Sequence, residues 1–296
     1  MNAVIVIDKP AGITSAEVVR RIKRSVKPAR VGHVGTLDPF ATGVLPILIG
    51  EATKLAPFLE RSDKRYTGLV KLGVETDTLD PDGSVVRTAP LPALNPQCLA
   101  AIEETFSGTL SQVPPVFSAI KRAGVPLYRL ARKGVDVRPP QPRKIEVRFL
   151  RLEATSPDTL RFELGCSAGT YVRALARDIG VALQSAAHLA ELRRLQSGGF
   201  SLPAAAPLER VLAAIDTADL ASIPFIAPAQ ALDHLPRVVV DAAQERRLRN
   251  GDSSALDAIV PAGAQIFRVV HSGGDLIAIA RATSRVTAVI ERILNR

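Results

Sequence analysis

Two consecutive segments with alternating polar and apolar residues constrain the fold of this chain most strongly. Residues 143–154 read RKIEVRFLRLEA and residues 159–166 read TLRFELGC, and both have the period of a β-strand. The segment TYVRALARDIGVAL at 170–183 has helical spacing instead and predicts a helix. Strands and a helix within one continuous stretch indicate a fold of mixed α and β structure.

The N-terminal half contains further elements of both kinds. AVIVI at 3–7 predicts a buried strand, and RYTGLVKLGV at 65–74 predicts another. Thr14 and Glu17 have the spacing of a capping box, so a helix is expected to begin there. A second helix is expected to begin at the Asn-Pro pair 95–96.

The C-terminal region has a different pattern from the rest of the chain. Between residues 231 and 296 we predict a short helix ending near Asn250 and four short strands: PRVVV, QIFRVVHS, LIAIARA and RVTAVIERIL. A Pro- and Ala-rich stretch precedes them. We therefore predict a large domain over residues 1–230 and a small, mostly β domain over residues 231–296.

The positive charge of the chain is clustered. The formal net charge is +9, and residues 120–151 carry ten Lys or Arg against two acids. Residues 20–30 (RRIKRSVKPAR) carry six more bases and no acid. Clustered basic residues indicate a polyanionic partner such as a nucleic acid. An anionic membrane is a poorer match, because neither stretch combines its charge with a continuous apolar face.

Composition also narrows the class of protein. Cys98 and Cys166 have neither metal-ligand spacing nor the pattern of a disulfide framework. The start MNAVIVIDKP does not have the pattern of a signal peptide, and no apolar run approaches membrane-spanning length. We therefore expect a cytoplasmic protein that is not embedded in a membrane.

A lone carboxylate, Asp38, lies in the glycine-rich segment RVGHVGTLDPFATG at 30–43. The segment lacks the Lys-Ser/Thr ending of a phosphate-binding loop. No second acid lies within twelve residues of Asp38 on either side, which disfavours a hydrolase acting through paired carboxylates. Asp38 and His33 are too few for a metal site. The loop itself leaves two interpretations open, a turn-forming aspartate and a nucleophile or base.

Five motifs, taken in order along the chain, make the interpretation specific. They are DKPAGITS at 8–15, GHVGTLDPFATGVLPILIGEATK at 32–54, SDKRYTG at 62–68, CSAGTYVRALARDIG at 166–180 and HLAELRRLQSGGF at 188–200. With these motifs the chain resembles the TruB-type tRNA pseudouridine-55 synthases, which isomerise a uridine in the T loop of tRNA. The resemblance covers most of residues 1–230. It implies a pseudouridine-synthase fold of the α+β class, with a mixed, mainly antiparallel central sheet and flanking helices.

The resemblance also implies roles for individual residues. Asp38 matches the family's catalytic aspartate, Arg173 matches the arginine that pairs with it, and Tyr66 matches the tyrosine that stacks on the target base. Further matches are substrate-binding residues: Tyr171 and Leu192 around the flipped uracil, and His33, which helps to hold the everted nucleotides.

Two regions are expected to bind the rest of the RNA. Residues 113–143 include a segment that resembles the family's RNA-clamping insertion, although Phe117 stands where a tyrosine is common. Residues 231–296 resemble the small PUA-type RNA-binding domain of such enzymes. The RNA-backbone candidates in and beside the insertion are Arg129, Arg132, Lys133 and Arg138.

The implied reaction is an isomerisation that needs neither a cofactor nor a metal, and it implies tRNA as the partner, with no obligatory protein partner. The carboxylate of Asp38 must be ionised whether it attacks carbon or removes the ribose C2′ proton, and an adjacent guanidinium favours the charged form. Two other functions stay open. They are a guide-RNA-dependent pseudouridine synthase of a ribonucleoprotein and a chaperone of tRNA folding.

Overall fold

The computed structural model describes residues 1–26, 29–118, 120–122, 124–131, 135 and 137–295. The α-helices found in these residues are α1 (Ser15–Ser25), α2 (Ala56–Leu59), α3 (Pro96–Thr105), α4 (Leu127–Ala131), α5 (Val172–Ala182), α6 (Leu208–Asp216) and α7 (Ala242–Arg249). Short 3-10 helices occupy Gly50–Leu55, Leu202–Ala204, Leu220–Ser222, Gln230–Leu232 and Ser253–Leu256.

The β-strands of the same residues outnumber the helices. The first ten are β1 (Ala3–Lys9), β2 (Val31–His33), β3 (Thr42–Ile49), β4 (Lys64–Leu72), β5 (Val74–Thr76), β6 (Val85–Thr88), β7 (Gly108–Gln112), β8 (Lys121–Arg122), β9 (Val125–Pro126) and β10 (Arg143–Ser156). The others are β11 (Thr159–Cys166), β12 (Ala187–Ser197), β13 (Phe200–Ser201), β14 (Ala206–Pro207), β15 (Phe225–Ile226), β16 (Arg237–Val240), β17 (Ile266–His271), β18 (Leu276–Ala282) and β19 (Ala288–Ile293).

The chain forms two compact units that do not follow the order of the sequence. The first unit comprises Met1–Leu37, Val44–Glu60 and Gly198–Arg296, and the second comprises Asp38–Gly43 and Arg61–Ser197. The Asp38 loop therefore belongs to the second unit, although the strand that follows it continues into the first.

In the first unit, strand β1 lies between β14, which is parallel to it, and β3. Helix α1 begins where the sequence predicts, because the side chain of Thr14 accepts a hydrogen bond from the Glu17 N–H at 3.0 Å. The buried face of α1 carries Val18 and Ile22. Its exposed face carries basic residues, as the amphipathic pattern predicts.

The first unit also contains a four-stranded sheet with the order β16-β17-β18-β19. The pair β16–β17 is parallel and the other two pairs are antiparallel. One set of its apolar residues, including Ile279 and Leu294, shares a buried cluster with Val4 of β1. A second set, including Phe267, packs with Leu248 of α7. The predicted C-terminal β structure is therefore present, and the boundary placed at residue 230 stays a prediction.

The second unit is built on an antiparallel sheet with the order β12-β4-β11-β10-β7. Helix α5 covers one face of this sheet, where its Leu175 and Ile179 pack beside Val70 and Phe162. At one side, Thr42 and Gly43 pair with β12 in parallel orientation. The predicted mainly antiparallel sheet with flanking helices is confirmed.

Among the strands that were not predicted from the sequence, two lie next to the Asp38 loop. They are β3, which follows the Asp38 loop, and β12, the strand that pairs with both β3 and β4. Both carry residues around the candidate site. None of the helices in the described residues has the length and apolar character needed to span a membrane.

Candidate active site

Close backbone packing fixes the loop that carries Asp38. Gly43 has a φ of +98°, a conformation that favours glycine, and a Cβ there would lie 2.2 Å from the carbonyl oxygen of Arg194. Any larger residue would therefore separate the loop from strand β12. One residue before Asp38, the Ser15 hydroxyl accepts from the Leu37 N–H at 2.9 Å and lies 3.1 Å from the Leu37 carbonyl.

Arg173 contacts Asp38, so the two predicted catalytic side chains form an ion pair. This residue lies in the first turn of α5, and its Nη2 donates to Oδ1 of Asp38 at 3.0 Å. Its Nε lies 2.9 Å from the other carboxylate oxygen, so the guanidinium contacts both oxygens of Asp38. The side chain of Arg173 is 6% exposed, whereas that of Asp38 is 32% exposed. The carboxylate is thus accessible to a substrate while its counter-ion is buried.

A second carboxylate, Asp80, binds the same guanidinium. Nη1 of Arg173 lies 3.1 Å from Oδ2 of Asp80 and donates to the carbonyl of Thr78 at 2.7 Å. Nη2 also donates to the carbonyl of Phe117 at 2.9 Å. Four hydrogen bonds therefore engage the Nη1 and Nη2 donors of Arg173, whereas its Nε makes only the ionic contact with Asp38.

Asp80 was not among the predicted site residues. The sequence DPDG at 80–83 indicates a turn, and Asp80 does form one: its Oδ1 accepts from the Thr78 hydroxyl at 2.5 Å and from the Asp82 N–H at 3.2 Å. Its other oxygen reaches Arg173. Because the Asp80 side chain is 8% exposed, it orients the guanidinium without competing with Asp38 for a ligand.

Tyr66 lies on β4, opposite Leu164 of β11 and Arg194 of β12. Burial raises the pKa of the Tyr66 phenol above its ordinary value, the nearby guanidinium of Arg194 opposes this shift, and the charge of Asp38 adds to it. The phenol therefore stays neutral at physiological pH. A neutral aromatic ring within range of the charge of Asp38 suits stacking on a flat base.

Leu192 approaches the Asp38 loop from β12. Its side chain is buried, and it stands opposite Gly68 of β4. The Thr42 hydroxyl, four residues after Asp38, lies 3.4 Å from the Leu192 carbonyl and accepts from Arg193 at 3.2 Å. Strand β12 therefore brings these residues together: it contains Leu192, and it pairs with both the end of the Asp38 loop and the strand that carries Tyr66.

Tyr171 immediately precedes α5 and is held through its main chain. The Tyr171 N–H donates to Oε1 of Gln112 at 2.8 Å, and the amide nitrogen of Gln112 donates to the Tyr171 carbonyl at 3.1 Å. Gln112 is 2% exposed and was not identified from the sequence. Burial raises the pKa of Tyr171, and the charge of Arg143 opposes that shift. This ring is therefore neutral as well.

The other predicted residues lie in different places. His33 is on β2 of the first unit, opposite Ile47, so its role stays a prediction. Arg129 in α4 and Arg138 are exposed, as phosphate contacts require. Arg132 and Lys133 lie outside the described residues.

The arrangement suits acid–base or nucleophilic chemistry at one carboxylate. Asp38 is accessible, a guanidinium favours its ionised form, and two neutral aromatic residues lie near it. Within the residues that the structure describes, no three His, Cys, Asp or Glu side chains come together as metal ligands would.

Comparisons with solved structures identify the fold. The chain has a TM-score of 0.74 and 25% identity to a protein in the crystal structure of a Cbf5-Nop10-Gar1 complex, covering 98% of this chain and 84% of that one. A chain of the archaeal box H/ACA sRNP Nop10-Cbf5 complex gives a TM-score of 0.72 at 23% identity, covering 98% and 85%.

Curated relatives are more similar in sequence. The tRNA pseudouridine synthase B of Geobacter sulfurreducens is 43% identical over 92% of this chain and 91% of its own length. Proteins of the same name from Geotalea uraniireducens and Aromatoleum aromaticum are 44% and 38% identical, over 95% and 100% of this chain and over 92% and 93% of their own lengths.

Family models cover most of the chain as well. Residues 23–172 match the N-terminal domain of the TruB family pseudouridylate synthases, and residues 173–235 match the tRNA pseudouridylate synthase B C-terminal domain. The resemblance seen in the five motifs and the predicted pseudouridine-synthase fold are both confirmed. The chain belongs to the TruB family of pseudouridylate synthases.

Proposed function

We propose that this enzyme converts uridine 55 in the T loop of tRNA to pseudouridine. Relatives named tRNA pseudouridine synthase B, 38–44% identical over nearly the whole chain, support tRNA as the substrate. The observation that carries the proposal is the pairing of accessible Asp38 with buried Arg173. Since tRNA is the substrate, we expect the enzyme to act in the cytoplasm.

The reaction breaks the bond between ribose C1′ and N1 of uracil, rotates the base and joins C5 to C1′. The C5 proton leaves and N1 regains one, so the overall reaction is an isomerisation. Asp38 begins it either by attacking carbon or by removing the C2′ proton, and both routes need an ionised oxygen within reach of the sugar. Arg173 supports both routes because its charge is permanent and its position is fixed by four hydrogen-bond acceptors.

The aromatic and apolar residues hold the extruded base. A base in a folded RNA loop is stacked, and extruding it costs a few kcal/mol that contacts in the pocket must offset. Tyr66 supplies a stacking face, and Tyr171 and Leu192 line the pocket. We assign His33 to positioning the everted nucleotides and not to proton transfer.

Outside the pocket, basic residues bind the RNA backbone. We propose that Arg129, Arg132, Lys133 and Arg138 of the insertion contact phosphates, and that residues 231–296 form a PUA-like RNA-binding domain. Exposure of Arg129 and Arg138 supports the first assignment. The β structure of the C-terminal region supports the second.

The guide-RNA-dependent alternative has weaker support. The matched chains of Cbf5-containing complexes are 23–25% identical to this chain, clearly below the tRNA pseudouridine synthase B relatives. We therefore expect activity without a guide RNA or a protein partner.

The test is to map pseudouridine in an unmodified tRNA transcript after incubation with the purified protein in buffered salt. We expect modification at position 55 and none in a matched transcript with cytidine there. A chelator in a parallel reaction should change nothing, because the chemistry needs no metal. Modification that required an added guide RNA or partner protein would favour the alternative, and tRNA refolding without modification would favour a chaperone.

A further inference from the structure

Two residues that face each other on neighbouring strands hold Tyr171 between them. Gln112 of β7 pairs in register with Arg143 of β10. Gln112 binds the main chain of Tyr171, while the guanidinium carbon of Arg143 lies 5.4 Å from the centroid of the Tyr171 ring. The main chain and the ring of Tyr171 are thus fixed by one cross-strand pair at the base of the insertion.

Arg143 differs from the other arginines of its strand. Arg148 contacts Asp63 and Glu146, and Arg151 lies 3.5 Å from Glu103. Within the described part of the chain, no carboxylate pairs with Arg143, although its side chain is partly buried. A partly buried cation without a counter-ion loses hydration that no fixed acid restores, so the position favours an anionic ligand.

The contact with Tyr171 leaves the N–H donors of Arg143 available. The guanidinium carbon lies over the ring, and no hydrogen bond to a described residue engages the Arg143 donors. These donors match the oxygens of a phosphate, which a guanidinium binds in a forked arrangement. Tyr171 therefore holds the cation in place without satisfying its hydrogen bonds.

Tyr171 links Arg143 to the catalytic residues, because its ring contacts Arg143 and its hydroxyl is within range of the charges at the site. The charges of Arg143, Arg173 and Asp38 all act on the Tyr171 hydroxyl. A nucleotide whose sugar sits at Asp38 carries a phosphate on each side of that sugar, and a cation held on Tyr171 is a candidate to bind one of them.

We propose that Arg143 binds a backbone phosphate next to the reacting nucleotide, with the ring of Tyr171 as its platform. This inference rests on the proposed function, because it takes the ligand to be RNA with its sugar at Asp38. This assignment distinguishes Arg143 from the exposed basic side chains of the insertion. Arg143 belongs to the pocket and holds the RNA strand at the nucleotide that is turned out.

The test compares Arg143→Gln with Arg151→Gln, which removes the same charge from the same strand. Equilibrium binding of unmodified tRNA is measured for both variants and for the unaltered protein between 50 and 200 mM salt. Arg143→Gln should weaken binding on the order of tenfold and lower the slope of log K against log salt by about one. Arg151→Gln should leave both within about twofold of the unaltered protein. Arg143→Lys should restore the slope but only part of the affinity, because it keeps the charge and loses the fork.

Equal changes in the two glutamine variants would overturn the proposal, since Arg143 would then contribute only to net charge. Unchanged binding with a slowed reaction in Arg143→Gln would overturn it too, because Arg143 would then only position Tyr171. Binding is measured separately from turnover. If the proposed function fails, the unaltered protein forms no pseudouridine, whereas failure of this inference leaves that activity intact.

Discussion

Arg173 and Arg148 each lie between two carboxylates, yet their surroundings differ. Arg173 contacts Asp38 and Asp80, and its side chain is 6% exposed. Arg148 contacts Asp63 and Glu146, and its side chain is 47% exposed. Water competes for the donors of the exposed Arg148, whereas both Nη groups of Arg173 donate to protein acceptors.

The difference teaches that burial, and not the number of ion pairs, separates a functional arginine from a surface one. An exposed pair gains little because solvent and salt screen it. A buried guanidinium that loses a partner leaves an uncompensated charge, which costs several kcal/mol. The carboxylate on the open side of Arg173 is therefore held in one orientation by two contacts with the guanidinium. The carboxylates at Arg148 are about half exposed and therefore screened by solvent.

The largest expected effect comes from removing the charge of Asp38. Asp38→Asn keeps the size of the side chain but supplies neither a nucleophile nor a base. Pseudouridine formation under single-turnover conditions should fall on the order of 10⁴-fold or more. Binding of tRNA should stay within about threefold, because phosphate contacts dominate affinity. A variant that retained a tenth of the rate would remove Asp38 from the chemistry.

The second effect tests the buried partner that the sequence did not reveal. Asp80→Asn leaves Arg173 with one carboxylate and should lower the free energy of unfolding by about 3 kcal/mol, measured by denaturant titration. We also expect the single-turnover rate to fall on the order of 100-fold, because the guanidinium no longer fixes Asp38 in one orientation. Loss of stability with a normal rate would limit Asp80 to a structural role.

A smaller effect is expected at Gln112, whose link to Arg173 is indirect. Gln112 binds the main chain of Tyr171, and Tyr171 immediately precedes the helix α5 that carries Arg173. Gln112→Leu leaves the Tyr171 N–H without its acceptor and should lower kcat about tenfold, which is the worth of one hydrogen bond. The KM for tRNA should change less than twofold. Gln112→Glu still accepts from that N–H, so it should retain more activity than the leucine variant. A raised KM with an unchanged kcat would show that Gln112 acts in binding instead.

Sequence patterns predicted most of the longer elements but missed several strands, and for two of them, β12 and β3, the reasons are identifiable. β12 is rich in Leu, Arg, Glu and Ala, which favour helices, and bulges near Glu191 and Gln196 interrupt its alternation. It is a strand because β4 pairs along its length, and this tertiary influence is invisible locally. β3 contains Pro46, which usually argues against a central strand.

Site residues could be predicted from the sequence only where they lie in a family motif. Asp38, Arg173 and Tyr66 came from family motifs, and the structure brings all three into one unit. Asp80 has the local pattern of a turn and forms that turn, so its contact with Arg173 has no sequence signal of its own. Gln112 and Arg143 depend on the register between β7 and β10, which local sequence does not determine.

The smallest effect is expected at the exposed arginine, where Asp63→Asn is the counterpart of Asp80→Asn. Both changes remove one of two carboxylates from an arginine, and they differ in burial: the Asp63 side chain is 52% exposed and that of Asp80 is 8% exposed. Because Arg148 keeps Glu146 and gains water, the unfolding midpoint and the rate of pseudouridine formation should stay within experimental error. Measured beside Asp80→Asn under the same conditions, an equal loss of stability would show that burial does not separate the two arginines. An unchanged midpoint together with a slowed rate would instead bring Asp63 into the active site.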